Sequence, residues 1–214
     1  MRALDLDKFR GARLVRQPFP YIIVPGFVRV EAGDAIHADY PVVEHAGSFP
    51  VESVTYGPAF QNLLSELQGD EMRAAFETKF GMDLTDRPTM VTVRGRCDPR
   101  DGRIHTDALT KLITVLIYMN PKWESPGGCL RLLHSSDNLD DAIIEVPPLE
   151  GTLLAFKRTD NSWHGHKPFE GPRRVIQLNW VTSAAVRRRE LFRHRLSAWS
   201  KRFAAMFRPW RRAA

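Results

Sequence analysis

The chain has 214 residues, 43% of them hydrophobic and 26% charged, which is an ordinary composition for one globular domain. No apolar run approaches the ~20 residues that cross a bilayer, and the first residues lack the apolar core of a secretory signal. The two cysteines, Cys97 and Cys129, have no zinc-binding spacing. These features argue against an integral membrane protein and a disulfide scaffold, and they favour a reduced, cytoplasmic protein.

The net charge of +6 is concentrated at the C-terminal end. Residues 184–214 contain ten Lys and Arg against one Glu, a local charge of +9, so residues 1–183 carry a net −3. The high isoelectric point therefore describes the C-terminal segment. It does not mark the rest of the chain as a nucleic-acid binder.

In chain order, the first predicted element is a short strand within the apolar stretch 17–28. Apolar residues at helical spacing over 58–80 predict one or two amphipathic helices, with a break at Gly69-Asp70. Alternating β-branched residues predict a strand at 89–97, and the nearly continuous apolar run at 112–120 predicts a strand buried on both faces. Further strands are predicted at 129–133, 142–146, 152–156 and 174–181.

Helices followed by short, turn-separated strands predict a mainly β fold, a sandwich or barrel with an N-terminal helical buttress. We place this domain at 1–183. Residues 184–214 are predicted to form a basic amphipathic C-terminal helix that ends near Pro209. Its apolar stripe consists of Leu191, Phe192, Leu196, Trp199, Phe203, Met206 and Phe207.

The pair His105 and Asp107 is a candidate metal site, because residues i and i+2 of an extended segment point to the same face. The alternative is an exposed turn in which the Asp hydrogen-bonds its own backbone. A third ligand could come from His134, His164, His166 or His194. Two His and one carboxylate suit ferrous iron, because they leave coordination positions open for other molecules.

Six motifs occur in a fixed order: HTD (105–107), YMN (118–120), GGCLRL (127–132), GTLLAF (151–156), WHGHKP (163–168) and RRVIQLNW (173–180). Together they resemble the 2-oxoglutarate- and iron(II)-dependent oxygenases, in particular the prolyl-hydroxylase-like branch. The resemblance implies a double-stranded β-helix, or jelly roll, with iron at its open end. It also implies hydroxylation of a C–H substrate with release of succinate and CO2, using Fe(II), 2-oxoglutarate as cosubstrate, O2 and ascorbate as an optional reductant.

The resemblance assigns His105, Asp107 and His164 as metal ligands, because the family's distal His stands four residues before a Pro, as His164 does before Pro168. His166 then lies two residues beyond the expected ligand position. It is expected at the rim of the pocket or in contact with a ligand residue.

A guanidinium is the expected partner for the distal carboxylate of 2-oxoglutarate. We assign Arg174, because it shares a strand face with the apolar residues of 174–181 and stands six residues before Trp180, as the family pattern has it. Arg173 is expected to be a solvated neighbour. The hydroxyl of Tyr118 is expected to bond the same carboxylate, although a purely structural buried Tyr is the alternative.

Two other functions remain open at this point. The chain could be a non-catalytic β-helix binding module, or a cupin-like dioxygenase that does not use 2-oxoglutarate. The intact set of three ligands and an Arg favours the oxygenase. The substrate could be a small molecule, a saccharide-linked group or a peptidyl residue, and contacts from His166, Lys111, Arg94 or Arg131 are undecided.

The C-terminal helix has its own possible partners. Its apolar stripe could pack on the domain or on a second copy to form a homodimer. Alternatively, its Arg and Trp residues could bind an anionic membrane surface, as a peripheral protein does. Nucleic acid is the least favoured partner.

Overall fold

The structure, a computed structural model, describes residues 2–193. Four helices precede the main run of strands, and they are α1 (Leu6–Gly11), α2 (Val30–Asp39), α3 (Pro58–Leu67) and α4 (Asp70–Phe80). A short 3-10 turn covers Val51–Ser53. A further helix, α5, begins at residue 184 and extends to 193, the last described residue. Two short strands, β1 (Tyr21–Val24) and β2 (Phe49–Pro50), lie among the N-terminal helices.

The remaining strands follow in sequence: β3 (Thr89–Cys97), β4 (Lys111–Tyr118), β5 (Leu130–Leu133), β6 (Ala142–Val146), β7 (Leu153–Lys157), β8 (His164–His166) and β9 (Gly171–Val181). They form a six-stranded sheet in the order β1-β7-β4-β9-β3-β2 and a three-stranded sheet in the order β6-β5-β8. All strand pairs are antiparallel. An isolated bridge between His105 and His164 continues the small sheet.

The large sheet is buried on both faces, and this is clearest in β4. Ile113, Val115 and Ile117 belong to a core shared with the helices, which includes Phe60 and Phe76. The alternate residues of β4 face the small sheet, where Leu116 and Tyr118 join a second core with side chains of β5 and β6. The jelly-roll prediction is therefore confirmed: two antiparallel sheets face each other, and helices cover the outside of the larger one.

Most of the predicted elements are present. The helical stretch at 58–80 divides into α3 and α4 at Gly69, as predicted. Strand β3 has the predicted bounds, whereas β9 begins at Gly171, three residues before its predicted start. Sequence analysis did not predict α1 or α2, since neither helix carries a long apolar stripe.

Helix α5 packs against the β domain. Arg187 Nε donates to the carbonyl of Thr89 at 2.8 Å, and its Nη2 lies 3.0 Å from Glu52 Oε1. Leu191 is buried. The rest of the predicted apolar stripe, beyond residue 193, lies outside the described residues, and the division of the chain at 183 stays a prediction. In the described part of the chain, no helix is long and apolar enough to cross a membrane.

Candidate active site

Three side chains from two segments of the small sheet converge at one end of the fold. His105 and Asp107 come from the segment before β4, and His164 begins β8. One ligand atom from each of the three lies within 4.8 Å of the others. The antiparallel bridge between His105 and His164 brings these segments together, with backbone bonds of 3.0 Å in both directions. The predicted ligand set is thus assembled by the fold.

Both imidazoles are held in the tautomer that a metal ligand needs. His105 Nδ1 lies 2.8 Å from the carbonyl oxygen of Arg103, and His164 Nδ1 lies 3.0 Å from that of Ser162. A carbonyl can only accept, so each Nδ1 carries the proton and each Nε2 keeps its lone pair. Burial lowers the pKa of His164 to about 4, which keeps that ring neutral at physiological pH.

Asp107 is held as a carboxylate despite being buried. Burial by itself raises its pKa, but the charge of Lys111, the neighbouring His164 and hydrogen bonds from Lys111 and Thr114 outweigh burial and lower the pKa to about 2. Lys111 Nζ lies 2.6 Å from Asp107 Oδ1, and the Thr114 hydroxyl donates to Oδ2. Two imidazoles and one carboxylate are the donor set that suits non-haem Fe(II), so the residues present fit that metal.

The triad lines a cavity of about 270 Å³ between the two sheets. Leu116, Phe156 and Val175 supply apolar wall, and the Phe156 ring lies 4.7 Å from that of His164. Polar side chains of β9 also line the cavity, and they include Gln177 and Asn179. The cavity combines an apolar section of wall with many polar and charged groups that converge on one space, which suits a polar small-molecule ligand.

Arg173 is a cation of this cavity that forms no ion pair with a carboxylate of the described residues. The residue is only 5% exposed, and its Nε donates to the carbonyl of Gly128 at 2.8 Å. Among residues 2–193, no Asp or Glu forms an ion pair with it. A buried guanidinium without an anion is costly, so this position is suited to an acidic ligand. Gly128, which accepts this bond, has a φ of +78°, and a Cβ there would lie 2.7 Å from the Trp123 ring, so a larger residue would be strained at this position.

Tyr118 provides a second polar group beside Arg173. The Arg173 guanidinium carbon lies 5.5 Å from the centre of the Tyr118 ring. The Tyr118 hydroxyl is fully buried and forms no hydrogen bond to any described residue. Burial raises the pKa of this hydroxyl to about 12, so it remains a donor at neutral pH. An orphaned donor beside an unpaired guanidinium fits an incoming carboxylate, as 2-oxoglutarate would supply.

The expectation that Arg174 faces the cavity is wrong. Its Nη1 lies 3.1 Å from His37 Nδ1, and its guanidinium carbon lies 5.2 Å from the centre of the Tyr40 ring, on the helix side of the sheet. Sequence analysis identified the more apolar face of β9 correctly but equated it with the inside of the barrel. That face packs against the helices, while Arg173, predicted to be a solvated neighbour, lies in the cavity.

The residues left undecided fall into two groups. His166, Lys111 and Arg94 line the cavity, although none is a member of the metal set. Arg94 forms a 2.6 Å ion pair with Asp101. Arg131 does not line the cavity and instead contacts Glu145 and Asp140 across the small sheet.

A family model matches the part of the chain that contains the site. Residues 96–182 match the model of the 2OG-Fe(II) oxygenase superfamily. His105, Asp107, His164, Arg173 and Tyr118 all lie within the matched range. No curated protein matches the chain.

Solved structures share the fold at low identity. A prolyl-4-hydroxylase from Pseudomonas putida aligns with a TM-score of 0.54 and 16% identity over 85% of this chain and 92% of its own. The viral collagen prolyl hydroxylase vCPH from Paramecium Bursaria Chlorella virus-1, solved as a 2OG complex, aligns with a TM-score of 0.51 and 15% identity over 77% of this chain and 96% of its own. At such identities these matches support the fold.

The motifs, the β-helix and the family match agree on the class: the fold is that of an oxygenase, and its group of two His and one Asp could hold a metal ion. Residues 96–182 thus carry the resemblance to the 2OG-Fe(II) oxygenase superfamily that the motifs indicate, and the fold is similar to that of solved prolyl hydroxylases. Fe(II), 2-oxoglutarate and O2 are the cofactors and cosubstrates of that superfamily, in agreement with the donor set of His105, Asp107 and His164.

Proposed function

We propose that this protein is a 2-oxoglutarate- and Fe(II)-dependent hydroxylase that releases succinate and CO2. The observation that supports this most strongly is the pairing of two features in one cavity. One is a two-His, one-carboxylate set with both Nε2 atoms available, and the other is a buried Arg173 that has no carboxylate partner among the described residues. A cupin-like dioxygenase that does not use 2-oxoglutarate would not require the second feature.

The residues of the chain divide the work between metal and cosubstrate. His105, Asp107 and His164 would hold Fe(II), and the distal carboxylate of 2-oxoglutarate would be bound by Arg173 and the Tyr118 hydroxyl. When bound, the metal and its cosubstrate supply the oxidising chemistry. The protein's part is to place these groups. Arg173 would bind the far carboxylate of the cosubstrate, while His105, Asp107 and His164 would hold the metal at its other end.

Part of the cavity wall is apolar. Leu116, Phe156 and Val175 are buried apolar side chains around the polar centre. A low-dielectric surround strengthens the interaction between Arg173 and a bound carboxylate, and it limits side reactions of the bound oxidant. No general base is needed, and sequence analysis identified no nucleophile–base set.

Succinate formation from 2-oxoglutarate tests the proposal without knowledge of the prime substrate. Purified protein with Fe(II) and ascorbate should release succinate slowly, and Asp107→Ala should release none. Hydroxylated product should then appear when an accepted small-molecule, saccharide-linked or peptidyl substrate is added. A protein that binds Fe(II) and 2-oxoglutarate but never forms succinate would instead support the non-catalytic binding module.

A further inference from the structure

A chain of hydrogen bonds runs from the cavity wall to the carboxylate of the metal set. The Thr114 hydroxyl contacts Asp107 Oδ2, and Asn179 Nδ2 lies 2.8 Å from Thr114 Oγ1. Gln177 Nε2 lies 3.0 Å from Asn179 Oδ1. Thr114 belongs to β4 and the two amides to the cavity face of β9, which pairs with β4. The chain therefore spans two neighbouring strands of the large sheet.

The chemistry of the groups fixes the direction of every bond. An ionised carboxylate can only accept, so Thr114 must give its single hydroxyl proton to Asp107. Thr114 Oγ1 can then only accept from Asn179, which must direct its NH2 group toward Thr114 and its carbonyl toward Gln177. Gln177 must in turn donate its NH2 group. Since each bond determines the next, the orientation of both amides follows from the charge on Asp107.

Burial makes the inner part of this chain rigid. Thr114 is 2% exposed and Asn179 is fully buried, whereas Gln177 is half-buried at the cavity surface. Buried polar groups that lose a partner are costly, so the inner bonds are strongly favoured in the folded state. Such a chain restricts the rotation of the Asp107 carboxylate and keeps Oδ2 occupied.

We propose that Thr114, Asn179 and Gln177 are positioning residues that orient Asp107 for metal binding, with an influence that decreases along the chain from Thr114 to Gln177. The inference rests on the proposed function, because it assumes that Asp107 is a metal ligand. Groups that hydrogen-bond a ligand carboxylate orient it and commonly change metal affinity by 10–100-fold when they are removed. Thr114 lies outside the quoted motifs, and the motif RRVIQLNW, which contains Gln177 and Asn179, gives neither of them a role.

The metal affinity of the site can be measured by titration with Mn(II), an air-stable probe for the iron site. Free Mn(II) is followed by electron paramagnetic resonance. Thr114→Val removes the hydroxyl and keeps the shape, and it should weaken Mn(II) binding by roughly 10–100-fold. Thr114→Ser restores the hydroxyl and should return the affinity to near the wild-type value. Asn179→Leu should weaken binding by less than Thr114→Val, and Gln177→Leu should have the smallest effect.

Thr92→Val is the matched control for loss of a buried hydroxyl. Thr92 is 3% exposed, lines the same cavity and pairs with Gln177 across β3 and β9, but it lies outside the chain. Its Mn(II) affinity should equal that of wild type. If Thr114→Val unfolds, as judged by circular dichroism, the comparison of Asn179→Leu with Thr92→Val decides the question.

Two kinds of failure can be told apart. If wild-type protein binds one Mn(II) and Thr114→Val binds it equally well, or if Thr114→Ser is as weak as Thr114→Val, the positioning role is wrong and the proposed function stands. If wild-type protein binds no Mn(II), the proposed function fails and this inference fails with it.

Discussion

The two faces of strand β9 are both shielded from water, but they bury different kinds of side chain. Toward the helices, Ile176, Leu178 and Trp180 belong to the apolar core, and Arg174 lies near the start of the same face. Toward the small sheet, the alternate residues are mostly polar and include Arg173 and Asn179. One strand thus stabilises the fold with one face and builds the site with the other, which a periodicity of two makes possible.

The comparison explains how a site can lie on a strand whose hydrophobic pattern indicates a core. Hydrophobic burial supplies most of the folding free energy, and the helix face provides it. The cavity face can then carry polar groups, some satisfied within the fold, as Asn179 is by Thr114 and Gln177, and one, Arg173, left without a carboxylate partner among the described residues. Changes on the cavity face should therefore remove binding without unfolding the protein, and changes on the helix face should do the reverse.

The largest effect is expected on the cavity side, at the metal. His164→Ala should abolish stoichiometric Fe(II) binding, because it removes one of three ligands and leaves an incomplete set. His166→Ala is the matched control from the same strand, and it should retain most of the binding. Anaerobic equilibrium dialysis with Fe(II) measures both. Loss of iron in His166→Ala with retention in His164→Ala would show that the distal ligand is misassigned.

On the helix side, Trp180→Ala should cost stability. Trp180 is 2% exposed, and its ring lies 4.8 Å from that of Phe76 in α4. Truncating a buried aromatic side chain typically costs ~3–5 kcal/mol of unfolding free energy. Urea unfolding followed by far-UV circular dichroism measures this loss. The folded variant should still bind Fe(II). A folded variant that does not bind iron would contradict the proposal that the helix face provides stability and the cavity face provides binding.

The charge of the cavity side should appear in the pH dependence of the metal-free protein. The pKa of Asp107 in the folded state, about 2, lies below the ordinary value for an Asp, about 3.9. A depressed folded pKa contributes stability that is fully present above the unfolded pKa and is lost as pH falls toward 2. The urea midpoints of wild type and Asp107→Asn should therefore differ most above pH 4 and approach each other below it. A constant difference down to pH 2 would contradict the expected ionisation.

Much of the architecture could be predicted from the sequence because apolar periodicity is a direct consequence of burial. The run at 112–120 predicted a strand buried on both faces, and β4 is one. Helix α2 gave no comparable signal, since Gly33 and Ile36 are its only buried residues. Spacing and motif order were enough to find His105, Asp107 and His164.

The remaining site residues could not be predicted because the choice depends on which buried face meets which layer. Apolar content distinguishes the two faces of β9, but it does not say whether helices or the second sheet cover each of them. Arg173 and Arg174 are adjacent in sequence and point to opposite faces of β9. Assigning the cavity to the wrong face therefore selected Arg174 instead of Arg173. Thr114 and Asn179 carry one signal in the sequence, which is that they are polar residues within apolar strands. That signal would be enough to mark the cavity face.

The most direct test of the two-face account is the affinity of the Fe(II) protein for 2-oxoglutarate in the variants Arg173→Ala and Arg174→Ala. An anaerobic titration followed by the metal-to-ligand charge-transfer band measures it. Arg173→Ala should weaken binding by ~2–5 kcal/mol, because the bound carboxylate loses its buried charge partner, whereas Arg174→Ala should bind 2-oxoglutarate nearly as well as wild type. Strong loss in Arg174→Ala with normal affinity in Arg173→Ala would contradict the account.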